Sequence, residues 1–122
     1  MVAFTPLSKI KNLDKFLTQC QRKRYAAKSN IICAGEQSHT LFFIIKGSVT
    51  IVIEDDGSRE MIIAYLNSGD FIGELGLFEH AGQIQKRSAW VRAKTECEVA
   101  EISYAKFREY AQHEPEILYA IS

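Results

Sequence analysis

The run Gly69-Asp70-Phe71-Ile72-Gly73-Glu74-Leu75-Gly76-Leu77-Phe78, followed by Arg87-Ser88-Ala89, holds the residues of this chain best suited to chemistry. Its three glycines give a backbone that bends sharply and can be approached closely. Asp70 and Glu74 are the acids of an otherwise small and apolar run. A carboxylate in such surroundings needs a fixed partner, because burying it unpaired is costly. Arg87 is the nearest residue that answers with a planar, bidentate donor. The pattern predicts a bent loop and one short helical turn whose N–H groups point at an anion. Arg87 would neutralise that anion, and Ser88 would add a hydroxyl. Glu74, repelled by a phosphate, would instead accept from a hydroxyl on the same ligand. A phosphate and a hydroxyl on one small molecule describe a sugar phosphate such as a nucleotide. The same residues admit a plainer reading, a Gly-rich turn closed by a structural Glu–Arg salt bridge.

The elements that must position this loop are mostly strands. Before them, Thr5 suits a helix cap and Pro6 a first helical position. Leu7, Ile10, Leu13 and Leu17 then recur at helical spacing with Phe16 on the flank, which predicts about three turns of amphipathic helix. Arg22-Lys23-Arg24 reads as a solvated basic face. Ile31-Ile32-Cys33 is a short apolar run, and Leu41 to Ile45 reads as a strand buried on both sides. Ser48 to Glu54 and Met61 to Leu66 flank Asp55-Asp56-Gly57-Ser58, where Asp-Gly should supply the positive φ angles of a hairpin. Asn67-Ser68-Gly69-Asp70 turns into the central loop, and residues Glu79 to Lys86 read as an exposed loop. Trp90 to Ala93 and Cys97 to Ile102 alternate as strands, the latter with its acids on a wet face. Short strands divided by Gly, Asn and Asp turns predict a mainly β fold with flanking helices, most economically a jelly roll or double-stranded β-helix. Ser103 should cap a helix whose Phe107, Tyr110 and Ala111 share a face. Pro115 then suits the start of another helix bearing Ile117, Leu118 and Ile121. A helix of two turns is marginal alone. The expectation is therefore the front part of a longer protein, with residues 115–122 opening a truncated helix and leaving its apolar stripe without a partner.

Composition narrows the function classes. A length of 122 residues fits one domain, residues 1–122. Fifteen basic residues balance fifteen acidic ones, so the domain itself has no electrostatic footprint for nucleic acid. The longest strictly apolar run, Leu41 to Ile45, is too short to span a bilayer. The N-terminus carries no signal-peptide pattern, and the expected location is cytoplasmic. Cys20, Cys33 and Cys97 are scattered without a Cys-x-x-Cys pair, which argues against a zinc or redox site. His39, His80 and His113 include no His-x-His pair for a cupin-type metal enzyme. No enzyme activity, metal or cofactor is expected.

The run from Gly69 to Phe78, then Arg87-Ser88-Ala89-Trp90-Val91-Arg92-Ala93-Lys94 and Cys97-Glu98-Val99-Ala100-Glu101-Ile102-Ser103-Tyr104, closely resembles the bacterial cyclic AMP receptor (catabolite activator) proteins. Residues Asn12 to Asp55 fit the same family, whose virulence-factor-regulator branch is nearest. The resemblance implies a β-roll effector domain, a long dimerisation helix, and a DNA-binding helix-turn-helix domain that is absent from this chain. It implies that 3′,5′-cyclic AMP is a regulatory ligand controlling DNA binding by a homodimer, with no membrane role. Carried over by motif, Gly73, Glu74 and Leu75 would lie beside the ribose and phosphate, with Glu74 accepting from the ribose 2′-hydroxyl. Arg87 would pair with the cyclic phosphate, and Ser88 and Ala89 would add hydroxyl and backbone donors. Ile51, Ile63 and Ala64 would form an apolar wall near base and sugar. Lys23 and Lys106 sit where the resemblance implies an RNA polymerase contact. Two departures stand out. Residues Glu79 to Lys86 form a longer loop than in the commonest members, and the base-reading helix is missing, which implies weaker and less base-selective binding. Ala64 brings no polar side chain to the base, so cyclic GMP, cyclic di-GMP or no nucleotide at all are the alternatives.

Overall fold

Strands dominate the computed structural model, which describes residues 12–37, 39–73 and 89–121. In chain order they are β1 (Gln21–Tyr25), β2 (Asn30–Ile32), β3 (Thr40–Lys46), β4 (Ser48–Glu54), β5 (Glu60–Asn67), β6 (Phe71–Ile72), β7 (Trp90–Ala93) and β8 (Cys97–Ser103). Helix α1 (Leu13–Leu17) precedes them, and α2 (Tyr104–His113) and α3 (Ile117–Ile121) follow. The strands form two antiparallel sheets, ordered β1-β8-β3-β6 and β2-β7-β4-β5. Among the described strands only the β4–β5 hairpin keeps consecutive strands in one sheet; each other successive pair lies in opposite sheets. This is the rolled, double-sheet wiring of the expected jelly roll.

Strand β3, inside the first sheet, is buried on both faces. Successive side chains of a strand point to opposite faces. Leu41 and Phe43 join a cluster with Phe16, Leu17, Ile102 and Phe107 beneath the helices. Phe42 and Ile44 join Val49, Ile72, Val91 and Val99 between the sheets. Residues 41–44 are therefore buried on both sides as expected, while Ile45 is half-buried. Phe16 is the hub of the helix-side cluster, meeting the rings of Phe43, Phe71 and Phe107 edge-on at 6.2, 6.0 and 6.2 Å. Spacing had placed it on the flank of the stripe. In the fold α1 turns its largest apolar side chain into the sheet and leaves Leu13 half-buried. Thr5, Pro6, Leu7 and Ile10 lie outside the described residues.

Several local expectations are corrected. Arg22-Lys23-Arg24 is exposed, as a solvated face should be, and forms the middle of β1, paired with β8. The acids of β8 do not mark a wet face. Both faces of that strand are buried, and Glu98 and Glu101 instead meet Arg22 at 3.7 Å and Lys23 at 3.4 Å across the ladder. In the β4–β5 hairpin the positive φ falls on Ser58 (61°), not on Gly57. The Asp55 carboxylate explains this, since its Oδ1 accepts from the N–H groups of Gly57 and Arg59, both at 2.9 Å, and wraps the turn around itself. The last helix is not left without a partner. Ile117 is buried and Ile121 packs on the helix-side cluster, while Leu118 is exposed. The cap on α2 is as expected, with Ser103 Oγ accepting from the Lys106 N–H at 3.1 Å. Among the described residues no helix is long and apolar enough to cross a membrane.

Candidate functional site

The chain enters the Gly-rich run through a firmly held turn. Gly69 adopts φ +94°, and its N–H donates to the Ile44 carbonyl at 2.8 Å. The Ile44 N–H returns a bond to the Asp70 carbonyl at 3.0 Å. Asp70 finds the fixed partner its surroundings require within its own turn, its Oδ2 accepting from the Asn67 N–H at 2.8 Å. Ser68 Oγ donates to the Ile45 carbonyl at 2.7 Å. Strand β6 then pairs Phe71 with Phe43 and Ile72 with Phe42. Gly73 leaves the sheet at φ +85°, a conformation that favours glycine, and its carbonyl accepts from the Tyr104 hydroxyl.

Candidate wall residues lie in the other sheet. Ile51 and Ala64 are directly paired across β4 and β5, and both are half-buried. The register then slips: Val52 faces Ile62, so Ile63 is the extra residue of a bulge and is 54% exposed. The fold thus brings Ile51 and Ala64 together and leaves Ile63 largely in solvent. Ala89 immediately precedes β7, whose Trp90 pairs with Val52, so it adjoins the same sheet. Gly73 directly follows β6 of the first sheet and Ala89 directly precedes β7 of the second. Glu74, Leu75, Arg87 and Ser88 lie outside the described residues, as does the loop Glu79 to Lys86.

A charged clamp lies on the same sheet. Arg92 on β7 makes two bonds to Glu60 on β5, at 3.0 and 2.9 Å, and its Nε donates to Asn30 Oδ1 at 3.1 Å. The donated bonds from Arg92 hold the Glu60 carboxyl below the ordinary range, its charge adding to the effect. Neither Glu60 nor Asn30 stood out in the sequence, because the three residues come from separate strands.

Lys23 pairs with Glu101, and Lys106 lines a cleft that Glu101 also lines. Lys23 Nζ lies 3.4 Å from Glu101 Oε1, and the Tyr25 hydroxyl donates to Oε2 at 2.6 Å. Burial first, and then Glu101, hold the Tyr25 hydroxyl protonated far above its usual range. Lys106 lines a cleft with Gln21, Glu101 and Ser103. Cys20 lies in the same cleft; burial pushes its thiol up to about 11, against the opposing pull of Lys106 and Arg22. Such a thiol is almost wholly protonated near neutrality and is a poor nucleophile.

Comparison with known proteins agrees with this architecture. Residues 22–114 match the family described as the cyclic nucleotide-binding domain. The cAMP-activated global transcriptional regulator Vfr of Pseudomonas aeruginosa is 70% identical over 121 residues, covering 99% of this chain and 56% of that protein. The cAMP-activated global transcriptional regulator CRP of Salmonella typhimurium is 56% identical over 110 residues, covering 90% of this chain and 51% of that protein. Among solved structures, the c-di-GMP responsive global regulator CLP of Xanthomonas campestris has a TM-score of 0.80 at 38% identity, over 89% of this chain and 54% of that one. The chain spans about half the length of the curated relatives it matches.

Proposed function

Because the chain belongs to the cyclic nucleotide-binding domain family, we propose that it is the effector domain of a transcription regulator and that it binds 3′,5′-cyclic AMP. The observation carrying this reading is the 70% identity to a cAMP-activated regulator along 99% of the chain. Arg87 pairs with the cyclic phosphate, because a guanidinium–phosphate contact is charge-assisted and bidentate. Glu74 accepts from the ribose hydroxyl, Gly73, Leu75, Ser88 and Ala89 complete the phosphate cradle, and Ile51 and Ala64 supply the apolar wall. In the longer protein the ligand favours the DNA-binding state of a homodimer through unequal affinity for two conformations. Lys23 and Lys106 form the contact with RNA polymerase. The half-buried Ile51–Ala64 pair, and a Gly73 already turned out of its strand, support the site.

Calorimetry with cyclic AMP on the chain and on an Arg87→Leu variant tests the reading. Loss of one charge-assisted contact, worth about 1.5–3 kcal/mol, should weaken binding roughly tenfold or more. No heat of binding to the parent chain, or equal affinity in the variant, would overturn it. A second reading, cyclic di-GMP as the ligand, draws on the likeness to the c-di-GMP responsive regulator. A thermal-shift panel of cyclic AMP, cyclic GMP and cyclic di-GMP separates the two, since the preferred ligand gives the largest stabilisation at equal concentration.

A further inference from the structure

We propose that Tyr104 is a positioning residue for the nucleotide pocket, acting through the carbonyl of Gly73; this rests on reading Gly73 as the first residue of the phosphate cradle. Tyr104 is anchored at several points. Its N–H donates to the His39 carbonyl at 2.9 Å, at the entrance to β3. Its ring is buried in the helix-side cluster with Phe16 and Phe107, 7% exposed. Ser103, the residue before it, caps α2. From this fixed base its hydroxyl reaches 31 residues back along the chain to the Gly73 carbonyl.

The point it reaches matters. Gly69, Asp70, Phe71 and Ile72 are all tied to β3 by backbone bonds. Gly73 is the first residue beyond that ladder, at a positive φ that lets the chain swing away from the sheet. A peptide unit is planar and trans, so holding the carbonyl at one end holds the N–H at the other end in the opposite sense. Tyr104 therefore holds the Gly73 carbonyl, and with it the aim of the peptide plane at which the proposed cradle begins. An anion nest depends on such aim being fixed before the ligand arrives. The same contact joins the cradle to the first turn of α2.

Tyr104→Phe removes the hydroxyl and keeps the ring, so the core stays filled. In the ligand-free chain the carbonyl 13C resonance of Gly73 should move upfield as the donated bond is lost, with the thermal midpoint lowered only slightly. Cyclic AMP affinity by calorimetry should fall roughly threefold to tenfold, the scale of one buried hydrogen bond. Phe107→Leu is the control. It thins the same cluster without touching Gly73, so it should lower stability and leave affinity at the parent value. An unmoved Gly73 resonance, or equal affinity in Tyr104→Phe, overturns the positioning role. Equal losses of affinity in both variants overturn it too, because the effect would then follow stability alone. A parent chain that takes up no cyclic AMP overturns the reading of the site, an outcome distinct from a parent that binds and a variant that binds equally well.

Discussion

Gly47 offers a sharp test of the packing argument, because two separate costs meet there and a second glycine isolates one of them. It is the single residue between β3 and β4, where the chain crosses from one sheet to the other. Its φ is +95°, and a Cβ built on it would lie 2.5 Å from the Glu96 carbonyl oxygen, 2.9 Å from Cys97 Sγ and 3.0 Å from Thr95 Oγ1. The oxygen is backbone and cannot rotate away. Gly35 has nearly the same angle, φ +91°, with nothing within 4 Å of its Cβ position. Gly35→Ala should therefore show the conformational cost alone, about 1–2 kcal/mol. Gly47→Ala adds overpacking, about 1–3 kcal/mol more, for a total of about 2–5 kcal/mol. In a domain of this size each kcal/mol moves the thermal midpoint by roughly 3–5 °C, so the Gly47 variant should melt roughly 6–25 °C below the parent. Urea unfolding followed by tryptophan fluorescence measures both variants on one scale. A Gly47→Ala chain within about 0.5 kcal/mol of Gly35→Ala would refute the steric reasoning, since that is the noise of an ordinary surface substitution.

Phe16→Ala should cost about 3–5 kcal/mol, because it empties the centre of a fully buried aromatic cluster; calorimetric melting checks it. The Arg92–Glu60 pair predicts a pH dependence. Glu60 titrates below its ordinary 4.5 in the folded chain, so its contribution is present above that value and is lost as pH falls through the folded midpoint. Carboxyl 13C titration should place the Glu60 midpoint below 4.5 in the parent and return it toward 4.5 in Arg92→Gln; the pair is exposed, so the change in overall stability should be small.

The strands and turns were legible because their signals are local. The five apolar residues from Leu41 announce a strand buried on both faces whatever surrounds them, and four of them are. The Asn67 to Asp70 turn and the Ser103 cap depend on side chains bonding to backbone a few residues away. The hairpin was placed correctly, but its positive φ was assigned to the wrong residue. The Asp-Gly signature describes one turn type, and here the Asp55 carboxylate selects another. The acids of β8 were misread for a different reason. Alternation predicts a wet face only where one face of the sheet is covered, and helices cover the second face here. Within the candidate site, Ile51 pairs with Ala64 across the ladder, and the bulge at Ile63 had no mark in the sequence.

By itself the amino-acid sequence determined the fold class. Hydrophobic spacing and turn residues act over a few positions, whereas the residue types of the Gly-rich run with Glu74, Arg87 and Ser88 suit an anion site and a structural salt bridge alike. Only the tertiary structure decided which distant groups meet: Tyr104 on Gly73, Arg92 between Asn30 and Glu60, and Glu101 with Lys23 and Tyr25. Those contacts follow from strand register and from a chain that crosses between sheets at almost every turn, and residue spacing along the chain carries no record of either.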